Sequence, residues 1–511
     1  MRKTLLLLLL LAIATPRVSA GDITVGPGES LHDALRQVRE WRRTHAPQCE
    51  GGVTIHLKAG RHYMAEPLFI RPEDSGTAAS PTLIKGEPGA VLCGDAPQQH
   101  TFLFPTEGME RLLAFDPISR TVTIPTPPKS VLRQQHLEMV VHQRWAIAIL
   151  RVKEMRVEGD RTIVSFMEPE SRLEFEHPWP QPVIGGERGN SSFLLRTTER
   201  RDGIEQLIVV QGSEEHPVEY VKLSNLTFEN TCWNRPLHKG HVTLQGGFPI
   251  VDAYKLKEKE GLPWDTGLEN QAWIERPVAA VSVSHATHVD VESCTFRHLA
   301  STALDYIDNI SDCTVTSCLF EHIGGTAIMG GSFAESPREV HRPYGQLAAR
   351  CRRLLIVKNT ITDATTEDWG AVAISLGYVK DCTVSGNDIS KVNYSGICVG
   401  WGWTPLYTGM ENNHIVGNKV SDYARQLYDA GGIYTLSNQP NSSICDNEIG
   451  KPYSAPYATN DRGFHIYLDA RTDGFTIANN TTKTSEESGK RPIRRDEIGD
   501  NHPGPNIIFQ Q

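Results

Sequence analysis

The strongest constraint on the fold is a short motif that recurs along the second half of the chain. An apolar residue is followed by two spacers, then Asn or Cys, then one spacer and usually another apolar residue. The segments are VESCTF, VTSCLF, IVKNTI, VSGNDI, IVGNKV, ICDNEI and the looser IANNTT, and their fourth residues are Cys294, Cys318, Asn359, Asn387, Asn418, Asn447 and Asn480. An earlier segment, LSNLTF, is interpreted as placing Asn225 in the same role.

Most of these repeats are spaced 24 to 33 residues apart, a period typical of solenoid proteins. Each period contains short β-branched runs separated by Gly, Asn, Asp and Ser, with little helical periodicity. This pattern predicts an all-β fold, a right-handed parallel β-helix solenoid with three strands in each coil. Equivalent residues on successive coils would lie about 4.8 Å apart. We therefore expect the Asn column to link coil to coil and to be structural, not catalytic.

Two segments depart from the repeat. SLHDALRQVREWRRTH predicts an amphipathic N-terminal helix that caps the open end of the solenoid, where bare strand edges would otherwise invite pairing. RTVTIP, LEMVVHQRW and RTIVSFM, separated by Pro-rich turns, predict antiparallel strands in an inserted β-rich subdomain. The predicted organisation is a signal peptide (1–20), the cap and first coils (21–96), the insert (97–205) and the parallel β-helix catalytic region (206–511).

The first twenty residues are typical of a secretory signal. Arg2 and Lys3 precede the apolar run LLLLLLLAIA and the small-residue cleavage site VSA. No later run approaches the roughly 18 apolar residues that a membrane helix needs. We therefore expect an exported protein, periplasmic or extracellular, without a membrane span.

The bulk properties give further expectations. The net charge of −10 and a pI near 6.0 argue against a nucleic-acid partner. No sequence signal calls for a cofactor or a metal ion. The ten Cys include no CxxC pair, so we expect mainly buried free thiols, with one or two disulfides left open.

The runs that follow the Asn column contain candidate catalytic acids. EDWGAVAISLGY, NYSGICVGWGW, DAGGIYTLSNQ and DRGFHIYLDA align by their Gly, with Asp368, Asp429 and Asp461 at one end and Asp469 at the other. On a β-helix these ends would border one sheet face, as in a groove for a sugar chain. Asp429 and Asp469 lie on adjacent coils and could face each other as the two carboxyl groups of a glycosidase. Each could equally be a turn Asp that bonds its own backbone.

Several neighbours of these acids are candidates for substrate binding. Trp401, Trp403, Tyr434 and Tyr467 could offer flat faces to sugar C–H groups, or could pack inside the coils. The further candidates are Asp368 and Glu367 as reserve acids, His465 as a partner for a sugar hydroxyl, and His142 and Trp145 of HQRW as residues that reach from the insert to the groove.

These motifs, in this order and spacing, resemble glycoside hydrolase family 141. The likeness rests on YSGICVGWGW, DAGGIYTLSNQPNSSICDNEI and HIYLD, and extends to GTAIMGGSF, EDWGAVAISLGY, GHVTLQGGF and HQRW. It implies a β-helix enzyme of a family that includes α-L-fucosidases acting on complex pectin and enzymes acting on xylan. It also implies a catalytic pair at Asp429 and Asp469. The family continues LD with an acidic residue and Gly, whereas this chain has Ala470 and Arg471.

Two other functions remain open from the sequence. A polysaccharide lyase is the nearest enzymatic alternative, because many lyases use this fold, although the calcium-dependent kind needs clustered acids and a basic residue. A non-catalytic carbohydrate-binding solenoid is the alternative from another class, since a fold alone does not fix function. The sequence favours a secreted hydrolase of plant cell-wall polysaccharide, with a carbohydrate as its partner.

Overall fold

The structure is a computed structural model of the chain. It describes residues 21–94, 101–104, 110–177, 180–198, 202–258, 268–335, 338–339, 350–453, 455, 458–460, 462–483 and 489–510. The predicted signal peptide and the candidate Asp461 lie outside the described residues. Within those ranges no helix is both long and apolar enough to cross a membrane.

Three long parallel sheets form the body of the molecule and confirm the predicted parallel β-helix. Sheet 1 contains Gly21–Val25, Val53–Leu57, Thr82–Gly86, Val218–Ser224, Ala286–Glu292, Ile310–Ser311, Thr314–Thr316, Cys351–Arg352, Leu355–Val357, Thr383–Ser385, His414–Val416, Asn438–Cys445, Asp473–Ala478 and Ile508–Gln510. Sheet 2 contains Gly60–Met64, Ala90–Gly94, Thr227–Thr231, Thr295–Leu299, Leu319–Ile323, Thr360–Ala364, Asp388–Val392, Lys419–Val420, Glu448–Ile449, Thr481–Lys483 and the antiparallel Lys490–Pro492. Sheet 3 contains Leu68–Ile70, Ile208–Gln211, Ala279–Ser284, Thr302–Tyr306, Ile328–Gly330, Ile374–Leu376, Ile397–Val399, Ala430–Thr435, Gly463–Leu468 and Ile498–Asp500.

The predicted ladder of Asn side chains is confirmed at one corner of the coils. The backbone N–H of Asn359 donates to Oδ1 of Asn387 at 3.0 Å, and the same contact repeats from Asn387 to Asn418 and from Asn418 to Asn447. Each of these Asn side chains also donates its Nδ2 to the next Oδ1. Because all are buried, the ladder pairs backbone groups that would otherwise be desolvated without a partner.

The assignment of Asn225 to this ladder is wrong. Thr227 pairs with Thr295, so Leu226 occupies the register of Cys294, and Asn225 that of Ser293. Asn225 and Ser293 both have a φ of +53°, a left-handed conformation at the corner just before the ladder position. Asn tolerates this conformation at low cost, which explains its presence one position early.

The predicted N-terminal cap is confirmed. A helix spans Leu31–Arg43 and begins after Ser30, whose hydroxyl accepts a hydrogen bond from the backbone N–H of Asp33 at 3.1 Å. Leu31, Leu35 and Val38 are buried against the first coils, so the apolar face of the helix closes the end of the solenoid core. The other short helices are Lys129–Leu132, Glu170–Glu176 and Arg235–Lys239, with single 3₁₀ turns at Pro47–Cys49, Pro72–Asp74 and Arg495–Glu497.

The predicted insert forms an antiparallel sheet beside the solenoid. Its strands are Thr101–Phe104, Glu110–Arg111, Ala114–Asp116, Thr121–Pro125, Leu137–His142, Ile147–Glu158, Arg161–Phe166, Ser192–Thr198 and His241–Val242. The last strand comes from a second excursion, between Thr227–Thr231 and Ala279–Ser284, within the range that the sequence analysis assigned to the solenoid. That excursion also contributes Ile250–Glu258 and Leu268–Ile274, which pair with each other. Leu268–Ile274 also pairs with Arg338–Glu339, which in turn pairs with Ala334–Glu335.

All ten Cys are free thiols, so the disulfides left open by the sequence analysis do not form in this structure. Cys294 and Cys318 extend the ladder at its N-terminal end: the backbone N–H of Cys294 contacts Sγ of Cys318 at 3.4 Å, and the backbone N–H of Cys318 donates to Asn359. The thiols of Cys294 and Cys318 therefore act as small buried groups within the coils.

Candidate active site

Two neighbouring strands of sheet 3 bring the predicted acids together. Ala430–Thr435 and Gly463–Leu468 pair in parallel, with Tyr434 opposite Tyr467. Asp429 directly precedes the first strand and Asp469 directly follows the second, so the acids start from opposite ends of the strand pair.

Gly431 and Gly432 follow Asp429 within the first strand. Asp429 itself has a φ of +61°. A Cβ at position 431 would lie 2.6 Å from the carbonyl oxygen of Ile433 and 3.0 Å from Cβ of Tyr467. Only Gly permits so close an approach, so the Gly pair after Asp429 is a steric requirement of the site.

Each acid is held by the tyrosine of the other strand. The hydroxyl of Tyr467 donates to Oδ1 of Asp429 at 3.0 Å. The hydroxyl of Tyr434 donates a short hydrogen bond to Oδ2 of Asp469. The two rings meet edge to face with centroids 5.3 Å apart. The crossed arrangement ties both carboxyl groups to one rigid aromatic pair.

The environment of Asp429 keeps part of this carboxyl protonated near neutral pH. Burial, and secondarily the negative charge of Asp469, raise the pKa of Asp429 to about 6. The hydrogen bond from Tyr467 and the positive charges of Arg462 and Arg144 act in the opposite direction. Arg462 lies at 3.9 Å from Oδ1 of Asp429, and the Asp429 side chain is 17% exposed. A partly protonated carboxyl beside a second one is the arrangement that general acid catalysis requires.

Asp469 is held at both carboxyl oxygens. Besides Tyr434, the Nδ2 of Asn501 donates to Oδ1 at 2.7 Å. Tyr434 in turn accepts a hydrogen bond from Nε2 of Gln245 at 3.0 Å. Two donors fix the orientation of this side chain and suit a carboxylate.

Sequence reasoning did not identify Gln245 or Asn501 as part of the site. Gln245 comes from the second excursion, about 190 residues before Tyr434 in sequence. Asn501 follows the last strand of sheet 3, and its backbone N–H donates to the carbonyl of Leu468, which places it next to Asp469. For Gln245 the available signal was the GHVTLQGGF segment, which contains it. For Asn501 the available signal was its position one coil after Asp469.

The aromatic candidates have different surroundings. Trp403 is half-buried and packs against the cluster of Tyr434, Leu436 and Tyr467, as does Ala470. Trp401 is only 3% exposed; its ring lies beside Phe248 and Phe333, with centroids 5.4 and 5.2 Å away. Its faces are therefore covered in this structure.

Tyr434 and Tyr467 are also buried, which agrees with the alternative that these rings pack inside the coils. Their hydroxyl groups form hydrogen bonds with the two acids, so in this structure the tyrosines hold the two carboxyl groups in position. Of the four rings, Trp403 keeps a partly exposed position beside the acids, and its sugar-contact role stays a prediction.

The HQRW segment of the insert contacts the loop that precedes Asp429. The backbone N–H of Tyr428 donates to the carbonyl of Arg144 at 3.4 Å. Trp145 donates its Nε1 to the carbonyl of Leu244 at 3.0 Å. His142 is buried and stacks on Trp369 at 5.3 Å, and burial lowers its pKa to about 4. The segment thus reaches the site through its backbone and Arg144, while His142 lies in the packed interface.

Asp368 and Glu367 lie apart from the acid pair. Asp368 is buried, and its Oδ2 contacts Nε2 of His241 at 2.9 Å, while Oδ1 accepts from the backbone N–H of Gly370. Glu367 forms an ion pair at 3.3 Å with the buried Arg196 of the insert.

His465 is buried as well. Its Nε2 lies 3.3 Å from the hydroxyl of Thr482 on sheet 2. Burial is the largest influence on its pKa, which is lowered. It therefore contacts the neighbouring sheet, and contact with a sugar hydroxyl stays a prediction.

Cavities near the site are of two sizes. A cavity of about 20 Å³ lies beside Tyr434 and Trp401, and a cleft of about 250 Å³ lies beside Asp368. The larger space is thus not at the acid pair. The catalytic role of the two acids stays a prediction. Among the described residues, no group of three or more His, Cys, Asp and Glu side chains is arranged to hold a metal ion.

Comparison with known proteins identifies the chain. A solved structure described as "Glycoside hydrolase" is 31% identical, with a TM-score of 0.87 and 96% of each chain covered. Two other solved structures are much less similar. The structure described as XylC with xylose is 8% identical at a TM-score of 0.41, covering 96% of this chain and 86% of that one. DFA-IIIase from Arthrobacter chlorophenolicus A6 is 10% identical at 0.41, covering 94% and 83%. No curated protein sequence matches the chain.

Identity of this extent over nearly the whole of both chains defines the class of protein: the chain is a glycoside hydrolase. A family model, the GH141 insertion domain, matches residues 101–200, which are the antiparallel insert. The chain belongs to glycoside hydrolase family 141.

Proposed function

We propose that this enzyme is exported and cleaves plant cell-wall polysaccharide, either a pectin side chain as an α-L-fucosidase or xylan, with Asp429 and Asp469 as its catalytic carboxyl groups. The observation that supports the acid pair is the crossed hydrogen bonding by Tyr467 and Tyr434. It holds two acids from opposite ends of a strand pair beside the same two rings. The substrate range rests on the family resemblance, and export rests on the signal-like first twenty residues.

The two acids have different roles in this proposal. Asp429, with a pKa near 6, supplies the proton to the leaving oxygen of the glycosidic bond. Asp469, held by Tyr434 and Asn501, acts as the ionised partner. In a retaining enzyme it attacks the anomeric carbon, and in an inverting enzyme it takes a proton from the attacking water. The anomeric configuration of the first product, followed by NMR, distinguishes the two courses.

The activity is tested by sugar release from pectin side chains, arabinoxylan and an aryl α-L-fucoside. Wild type is compared with Asp429→Asn and Asp469→Asn, and with Asp388→Asn as a matched control, since Asp388 is exposed on sheet 2. We expect release by wild type and control, and a loss of at least 100-fold in the two site variants, the order that removal of an acid–base catalyst produces.

The other outcomes separate the alternatives. If both site variants fold and still release sugar, the catalytic residues are not this pair. An unsaturated product that absorbs in the ultraviolet would indicate a lyase. Sugar binding without release by the wild type would indicate a non-catalytic binding protein.

A further inference from the structure

The cleft beside Asp368 is a second polar cavity on the solenoid. It has a volume of about 250 Å³ and lies where three strands of sheet 3 begin, namely Thr302–Tyr306, Ile328–Gly330 and Ile374–Leu376. Residues of the second excursion, among them Trp233 and Arg235, form its wall. A pocket of this size is below the roughly 300–1,000 Å³ that holds drug-sized ligands, so it fits one small ring.

The cleft is separate from the acid pair. Its nearest strand, Ile374–Leu376, is two strands from Ala430–Thr435, and its furthest is four strands away. At a strand spacing of about 4.8 Å these steps correspond to about 10 and about 19 Å. Neither Asp429 nor Asp469 lines the cleft.

The insert contacts both places. A Cβ at position 370, beside Asp368, would lie 3.3 Å from Cα of Ala146, and the carbonyl of Arg144 accepts from Tyr428 beside Asp429. The cleft and the acids are therefore both in contact with one segment of the insert.

The charges that line the cleft balance. Arg235, Lys239 and Arg276 are opposed by Glu205, Glu275 and Asp368. An anion would meet three carboxyl groups, and a cation would meet three positive side chains. A neutral ligand with many hydroxyl groups can accept from the guanidinium groups and donate to the carboxylates.

The lining groups are fixed before any ligand binds. Arg276 donates to both carboxyl oxygens of the buried Asp305, at 2.6 and 2.5 Å. Asp368 is bound to His241, and Glu205 accepts from the backbone N–H of Asn234 at 2.8 Å. Side chains held in this way lose little conformational entropy when they bind a ligand.

Polar side chains line the cleft, and one of them has a buried group without a partner in the described part of the chain. Ser301 and Thr302 line it, and both residues are more than nine-tenths buried. Arg235, whose side chain is 13% exposed, has a buried Nε without a partner among those residues. Buried polar groups are normally paired, so the Nε of Arg235 beside this cavity indicates a place for a polar ligand.

We propose that this cleft is a second carbohydrate-binding site, which holds one neutral sugar residue apart from the catalytic acids. This proposal rests on the proposed function in one respect, namely that the ligand is a carbohydrate. Thr302 and Arg235, which line the cleft, supply partners for the hydroxyl groups of the sugar.

The test is direct binding of L-fucose, D-xylose and D-galactose, measured by calorimetry or ligand-observed NMR. The proteins are wild type, Thr302→Val, Ala371→Met and Asp429→Asn, with Thr295→Val on sheet 2 as the matched control for Thr302→Val. Thr302→Val removes one hydroxyl at nearly constant shape, and Ala371→Met fills the cleft. Circular dichroism and melting temperature check the folding of each variant.

We expect at least one sugar to bind the wild type. Thr302→Val should weaken binding about five-fold, as expected for one hydrogen bond, and Ala371→Met by tenfold or more. Binding should persist in Asp429→Asn and in Thr295→Val. The proposal is overturned if none of the three sugars binds. It is also overturned if binding is lost in Asp429→Asn but kept in both cleft variants, because the sugar would then lie at the acids. Sugar release, the test of the proposed function, is a separate readout and can fail while this binding persists.

Discussion

Replacement of Asp429 by Asn should stabilise the protein at pH 7.5 and change its stability much less at pH 4. The pKa of Asp429 is about 6 in the folded chain, against an ordinary value of 3.8, because burial and the charge of Asp469 disfavour the ionised form. Well below pH 3.8 the carboxyl is protonated in both states, and the pKa difference does not affect stability. As the pH rises from 3.8 through 6, the unfolded chain releases its proton first, so the free energy of unfolding falls.

The magnitude follows from the same two values. Each pH unit corresponds to about 1.4 kcal/mol, so the difference between 3.8 and about 6 amounts to about 3 kcal/mol at pH 7.5. Asn has a similar shape, can still accept a hydrogen bond from Tyr467 and carries no charge. With an entropy of unfolding of about 2.1 cal/mol/K for each residue, we expect a rise in melting temperature of about 3 °C.

The assay is thermal unfolding by circular dichroism at a fixed scan rate, at pH 4 and pH 7.5. Asp388→Asn, an exposed acid on sheet 2, should show no such difference between the two pH values. An equal change for Asp429→Asn at both pH values would refute the reasoning, as would a loss of stability at pH 7.5. A gain in stability together with the loss of activity would indicate that this carboxyl is kept for function at a cost in stability.

Three further predictions address the site and the coils. Tyr467→Phe removes a hydrogen bond that lowers the pKa of Asp429, so the alkaline limb of the kcat/KM profile should move about one pH unit higher; a limb that does not move would contradict this. Gly431→Ala places a Cβ 2.6 Å from the carbonyl of Ile433, so activity should fall at least tenfold, while Gly489→Ala, in open space, should retain activity. Asn387→Ala removes buried hydrogen bonds of the ladder and should cost about 3 kcal/mol in urea unfolding; a cost below about 1 kcal/mol would show that the ladder does not contribute as described.

The local rules of the coil were readable from the sequence. A ladder residue must be small, polar and buried at each corner, and the repeat of Asn and Cys at fixed spacing expresses that need directly. The N-terminal helix could also be predicted from the sequence, because its N-cap residue Ser30 and the apolar face of Leu31–Arg43 are local signals. The prediction for Asn225 was wrong by one position because Asn suits both the ladder position and the left-handed corner beside it.

The surroundings of the aromatic residues could not be read in the same way. Trp401 stands near glycines in a turn, which is typical of an exposed ring, yet Phe248 and Phe333 cover it. Both phenylalanines come from excursions outside the regular coils. Burial by a distant segment leaves no periodic signal in the local sequence.

The sequence by itself determined the repeating coil, the cap, the insert as a β-rich segment and the candidates Asp429 and Asp469, because each follows from short-range spacing or from a motif. Only the tertiary structure decided how those acids meet. The crossing of Tyr434 and Tyr467 depends on strand register, and the contacts of Gln245 and Asn501 join segments far apart in the chain. The pKa of Asp429 likewise depends on burial and on a charge from another coil. These are properties of distance in three dimensions, which spacing along a chain does not encode.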